Sequence, residues 1–194
     1  MISFSIIFLI ILSLFSVYLI IVWKGQTNRQ SFYYNDRPFL FAHRGCPHYI
    51  TENTILSFKK AIEQNADGIE FDIRLTQDNQ IVIFHDSDLI RMAGVAVKIN
   101  ELTYSKLKTQ ELKKERNQKE STYIPLLKEI IPLLNQIKAI NIEIKSDSIF
   151  KGANILNPLI KFLDLHQIDN KCIISSFNPI ILWKLKRRRP KIAI

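Results

Sequence analysis

The chain has 194 residues, 47% of them apolar, and a formal net charge of +9. That length is enough for one domain, and the apolar share is enough for a packed core. Two cysteines, Cys46 and Cys172, exclude a disulfide framework and show no zinc-ligand spacing, which fits a reducing compartment. The positive charge falls wholly on residues 24–194. It reads as a lysine-rich solvated surface, with attraction to anionic headgroups as the alternative.

Residues 1–23 contain no charged side chain and are dominated by Ile, Leu, Phe and Val. A run of this length can cross a bilayer as a helix of about 20 residues. A signal peptide would want a basic start, a shorter apolar stretch and an Ala-x-Ala-like cleavage site, and this run has none of these. It also lacks the polar face that a helix of a soluble domain would show. The segment is therefore read as an uncleaved transmembrane anchor, followed by a polar linker over 24–37 and a catalytic domain over 38–194. Lys24, Arg29 and Arg37 follow the span, and the positive-inside rule then places the domain in the cytoplasm.

After the linker, strand and helix patterns alternate. Residues 39–43 form an apolar strand. A turn around Pro47 leads to a helix over 53–64, with Thr51, Asn53 or Thr54 as its cap. Strands over 69–73 and 81–85 flank turn residues at 76–79. Helices are expected over 102–112 and 126–137, the second opened by Pro125, with an exposed polar loop over 113–120 between them. A strand over 139–144, a helix over 155–166, a strand over 171–176 and a helix over 179–188 follow. Residues 191–194 begin another strand. The basic run from Lys184 to Arg189 reads as a solvated helix end rather than a nucleic-acid contact, and Trp183 reads as core.

Alternation of this kind predicts a parallel sheet flanked by helices. Chemistry-bearing residues at the ends of several strands point to a (β/α)8 barrel of TIM type. About six strands are found where the barrel has eight, and a whole barrel typically takes about 250 residues. The α/β fold is therefore expected to be an incomplete barrel, truncated at its carboxyl end.

The residues that end those strands carry the chemistry. Glu70 and Asp72 are two apart on a strand and project to one side. Two carboxylates so close repel unless a cation sits between them, and oxygen ligands suit Mg²⁺ or Ca²⁺. His43 and His85 each end a strand, and two imidazoles can serve as acid and base between them. Arg44 can grip a phosphate oxygen bidentately, and Lys145 adds a second point charge. Glu52, Asn53 and Asp86 read as supporting residues that orient a histidine or reach the metal's surroundings. Cys46 reads as an incidental loop residue, and Phe177 as a residue that can line the substrate pocket.

His43-Arg44-Gly45, Glu52-Asn53-Thr54, Glu70-x-Asp72, His85-Asp86, Glu143-Ile-Lys145 and Ser175-Ser-Phe177 occur in that order. In that order they resemble the successive motifs of the glycerophosphodiester phosphodiesterase family, over residues 39–194. The family's late tryptophan-containing strand has no counterpart in this sequence. The resemblance implies a barrel fold, Glu143 as the third metal ligand, and phosphate contacts from Arg44 and Lys145. It implies metal-dependent hydrolysis of a glycerophosphodiester to sn-glycerol 3-phosphate and an alcohol. A lysophospholipase D acting on lysophospholipids at the membrane is the alternative, and an inactive truncated remnant is the third reading.

Overall fold

The computed structural model describes residues 4–24, 38–116, 118–150 and 152–194. Helix α1 runs over Phe4–Lys24. Its described side chains, residues 5–20, are all exposed. Among the described residues no helix is long and apolar enough to cross a membrane. The expected linker, with Arg29 and Arg37, lies largely outside the described residues.

Strand β1 (Phe41–His43) leads through a tight turn into helix α2 (Ile55–Glu63). Gly45 sits in that turn at φ 88, and a Cβ there would lie 2.5 Å from Ser57 Oγ. A side chain at this position is therefore excluded twice, by backbone conformation and by space. Thr54, rather than Thr51 or Asn53, caps α2, its side chain accepting from the Ser57 amide at 3.3 Å. Strand β2 (Gly68–Leu75) follows and is the longest in the molecule as described.

Strand β3 (Ile81–Ile83) corrects the expected strand order. It pairs antiparallel with the end of β2, as a hairpin arm, and is not a rung of the parallel barrel. The hairpin is tied by Thr76, whose hydroxyl accepts from the Gln80 amide at 2.9 Å and donates to Asp78 Oδ1 at 2.6 Å. His85 lies just past the end of this arm.

Between β3 and the next parallel strand the chain makes a small unit of its own. It holds β4 (Asp88–Leu89), helix α3 (Ile90–Ala93), β5 (Val95–Lys98) and helix α4 (Tyr104–Leu107), with β4 and β5 paired antiparallel. The helix expected over 102–112 shrinks to a single turn. The one expected over 126–137 becomes a 3₁₀ turn over Leu127–Ile130 and helix α5 (Ile131–Leu134). It is Pro132, not Pro125, that sits in the first turn of that helix.

Strand β6 (Ala139–Ile144), helix α6 (Leu156–His166), strand β7 (Cys172–Ser175) and helix α7 (Pro179–Arg188) then match the sequence pattern closely. The main sheet runs β1-β2-β6-β7, all parallel, with β3 on the β1 side of β2. Ala193 bridges Ile173 in parallel, where the strand over 191–194 was expected to begin. The sheet does not close into a barrel among the described residues.

Two apolar clusters hold the fold. The larger joins the sheet to its helices through Phe58, Ile69, Phe71, Ile73, Ile140, Ile142, Ile174 and Leu185. Each such side chain contributes about 1.5–3 kcal/mol by leaving water. The smaller is the interior of the inserted unit: Val82, Phe84, Leu89, Met92, Ile99, Leu107, Leu112, Ile124 and Leu126. Trp183 belongs to neither. It is 42% exposed, and the Arg187 guanidinium lies 4.9 Å from its ring centroid. The neighbouring cations close α7 as a solvated basic end, and Arg189 pairs with Asp164 and Asp169.

Candidate active site

Side chains 70, 72 and 74 alternate with core residues along β2 and so share one face of the sheet. Strand β6 lies beside β2 with Asp72 opposite Glu143. Strand register alone therefore gathers Glu70, Asp72 and Glu143, and one carboxylate oxygen from each lies within 4.8 Å of the others.

Asp72 is fully buried. Its Oδ2 accepts from Asn53 Nδ2 at 2.8 Å, and Asn53 Oδ1 accepts from the Asp72 amide at 3.3 Å. Arg44 Nε lies 3.2 Å from Oδ2 without hydrogen-bond alignment. Oδ1 makes no hydrogen bond, although Lys145 Nζ lies 3.0 Å away. Lys145 donates to Glu143 Oε1 at 2.6 Å instead. Burial first, and then repulsion by Asp72 and Glu143, push the Glu70 carboxyl up to about 7 against the pull of the Arg44 amide.

These residues fit a hard divalent cation. All three donors are carboxylate oxygens, one of them is an orphaned buried oxygen, and one carboxyl is pushed up by burial and by its acidic neighbours. Lys145 supplies part of that charge.

His43, at the end of β1, is open to solvent, and its Nε2 is 3.8 Å from Glu70 Oε2. The next residue turns sharply. Arg44 and Asn53 both adopt left-handed conformations, at φ 56 and 57, and the Asn53 amide donates to the Arg44 carbonyl at 3.0 Å. Each such conformation costs about 1–3 kcal/mol and persists only where contacts enforce it. Here the enforcing contacts are the Asn53–Asp72 pair and the Arg44 amide, which donates to Glu70 Oε2 at 3.0 Å.

A second ionic cluster flanks the first. His85 Nδ1 is 2.7 Å from Asp86 Oδ1. Arg91 donates to Asp86 Oδ2 and to Glu52 Oε1, both at 2.6 Å. Glu52 Oε1 also accepts from Arg44 Nη1 at 3.0 Å. Burial alone would raise the Asp86 and Glu52 carboxyls. The Arg91 hydrogen bond and the surrounding charges outweigh it and hold both below the usual carboxylate range.

The structure thus brings together every residue singled out in the sequence: His43, Arg44, Glu52, Asn53, Glu70, Asp72, His85, Asp86, Glu143 and Lys145. Arg44 and Lys145, expected on phosphate, are held by carboxylates here. Phe177 is 91% exposed with Lys145 Nζ 5.8 Å from its ring centroid, so it stands at the rim rather than inside a pocket. Cys46 donates to Gln64 Oε1 at 3.1 Å, away from the acids. Two residues escaped the sequence reading. Arg74 donates to the His85 carbonyl at 2.9 Å and to Asp147 at 2.7 Å, and the period of two from Asp72 pointed to it. Arg91 also escaped, because its link to Glu52 spans 39 residues of sequence, although its other partner, Asp86, is close by.

Parallel strands with acids and His43 towards their carboxyl ends, and His85 just past the hairpin arm, define a barrel-type protein with its site on the carboxyl-terminal rim. The family model for the glycerophosphoryl diester phosphodiesterase family matches residues 43–194, and the chain belongs to that family. It is 33% identical over 158 residues to a glycerophosphodiester phosphodiesterase of Bacillus altitudinis, covering 80% of this chain and 64% of that one. It is 34% identical over 160 residues to one of Caldanaerobacter subterraneus, covering 81% and 65%. A phosphodiesterase of Oleispira antarctica, solved in complex with the product sn-glycerol-3-phosphate, superposes with a TM-score of 0.71 at 30% identity, covering 80% and 64%. The chain therefore spans just under two thirds of the length of these relatives.

Proposed function

We propose that this chain hydrolyses glycerophosphodiesters to sn-glycerol 3-phosphate and an alcohol, with Mg²⁺ or Ca²⁺ held by Glu70, Asp72 and Glu143. The observation that carries the reading is the carboxylate trio with its unsatisfied Asp72 oxygen, with His43 Nε2 3.8 Å from Glu70. The product named for the Oleispira phosphodiesterase supports the substrate class.

The cation, when bound, supplies charge neutralisation at the phosphate and lowers the pKa of a bound hydroxyl or water. The chain's own residues do the rest. Asn53 holds Asp72 twice, donating to its carboxylate and accepting from its backbone amide. Arg44 and Lys145, held by carboxylates here, would offer their cationic donors to the phosphate oxygens of a bound diester. The ionised Asp86 accepts from His85 Nδ1, which leaves Nε2 as the proton-exchanging atom. Arg91 keeps Asp86 ionised and in place. His43, open at the other side of the trio, is the second proton carrier, and between them the histidines act as base and acid.

Membrane anchoring by residues 1–23 and a cytoplasmic domain extend this proposal. The exposed, mostly apolar side chains of α1 support the anchor, and Lys24, Arg29 and Arg37 support the cytoplasmic side. The same helix favours lysophospholipids as the second substrate reading. Retention in the membrane fraction after alkaline wash tests the anchor, and extraction by the wash would refute it. The activity itself is tested by assaying the full chain on a glycerophosphodiester with excess EDTA and then with added Mg²⁺ or Ca²⁺. Turnover should vanish and return. Undiminished turnover in EDTA would overturn the metal role.

A further inference from the structure

A cavity of about 730 Å³ opens beside the acid cluster, above the end of β2 and between β5 and the segment that follows β6. Its charged lining residues are Arg74, Lys98, Lys145 and Asp147, and hydroxyl and amide side chains such as Asn100 and Asn154 fill much of the remaining wall. Lys145 is common to the cavity and the acid cluster, so a molecule whose phosphate meets Lys145 extends into this space. A phosphate and a glycerol do not fill it, since volumes of this size take drug-sized ligands.

The charges within the cavity are not balanced. Asp147 is taken by Arg74 at 2.7 Å, and Lys145 by Glu143 and Asp72. Lys98 is exposed and makes no ion pair among the described residues, with Asp88 its register partner on β4. A quaternary ammonium headgroup would meet this excess of cations. It would also lack the aromatic cage that recognises such groups, because Phe150 is the single aromatic among the described lining residues. An acyl chain would strand the polar wall without hydrogen-bond partners.

Resting on the activity proposed above, we infer that this cavity receives the alcohol half of the diester and selects a hydroxyl-rich, uncharged or anionic headgroup over a cationic one. Arg74 and Lys98 are its specificity-determining residues. Lys98 contributes by charge at the mouth. Arg74 contributes through its place on the same face as Glu70 and Asp72.

The test is titration calorimetry of the full chain with Ca²⁺ present, using glycerophosphoinositol and glycerophosphocholine, alongside hydrolysis of both. The inositol diester should bind more tightly by about tenfold, equivalent to about 1.4 kcal/mol. Lys98→Glu should shrink or invert that ratio by strengthening choline and weakening inositol, while Ca²⁺ affinity stays unchanged. Equal or choline-favouring binding in the native chain, or a ratio indifferent to Lys98→Glu, would overturn the inference. Hydrolysis of both diesters without preference would remove the headgroup selection and leave the diesterase reading standing. Selective binding without hydrolysis would do the reverse.

Discussion

Two carboxylate clusters share one rim and are electrostatically opposite. Glu52 and Asp86 are served by Arg44 and Arg91 and sit below the usual carboxylate range. Glu70, Asp72 and Glu143 have Lys145 within reach, yet one carboxyl stays near 7 and one buried oxygen stays unbonded. The difference separates two tasks. The first cluster is complete within the protein and positions His85. The second keeps an unbonded buried oxygen and a raised carboxyl, the features on which the proposed cation site rests.

That contrast can be broken by mutation, and the second cluster should give the largest effect. Glu70→Gln and Asp72→Asn each remove a donor, and each should abolish turnover in a steady-state diesterase assay. Glu70→Gln should keep or raise the melting temperature, because it relieves repulsion in a buried trio. Persistent turnover in either variant would place the metal elsewhere.

The histidines come next. His43→Ala and His85→Ala should each lower turnover by at least about a hundredfold, the scale of general acid–base catalysis. A variant that retains most of its rate would remove that histidine from the proton path.

Arg91→Ala sharpens the comparison from the other side. It strips the first cluster of its main cation and turns it into a weaker copy of the second. The Arg91 side chain is 49% exposed, so the stability loss should be modest, about 1 kcal/mol after solvent screening. Its pH dependence has a defined sign. The Glu52 and Asp86 carboxyls are depressed in the folded state, from ordinary values of 4.5 and 3.8. Their contribution is thus full above those values and is lost as pH falls through the lower folded ones. Thermal melts of native and Arg91→Ala chains should differ at pH 7 and converge under acid. A gap that widens under acid would contradict the assignment.

Much of this was legible in the sequence, for a physical reason. Glu70 and Asp72 share a face because a strand has a period of two, and Glu143 joins them because β2 and β6 pair in parallel. The period of two is local information, whereas the pairing that brings Glu143 in is not, and Glu143 was expected only because the family resemblance implies it. The inserted unit over β4, α3, β5 and α4 was not legible. Its strands and helices are two to four residues long, too short for any period to register, and its cluster around Leu89 and Ile99 is assembled by tertiary contact. Arg91 was lost with it. The arm carrying Ile81–Ile83 was read as a barrel rung because an apolar run looks the same whether it pairs parallel or antiparallel. Trp183 was read as core because indole is usually buried, whereas here it lies under Arg187 on the solvated side of α7.

The most direct measurement is calorimetric titration of Mg²⁺ or Ca²⁺ into the full chain at pH 7, repeated in two buffers of different ionisation enthalpy. With the Glu70 carboxyl near 7 before binding, a single site should appear that releases on the order of half a proton as the carboxylate forms. Glu70→Gln should abolish it, and Glu52→Gln should leave it intact. No saturable site, or a site lost equally in both variants, would contradict the division of this rim into a self-sufficient cluster and a cation-binding one.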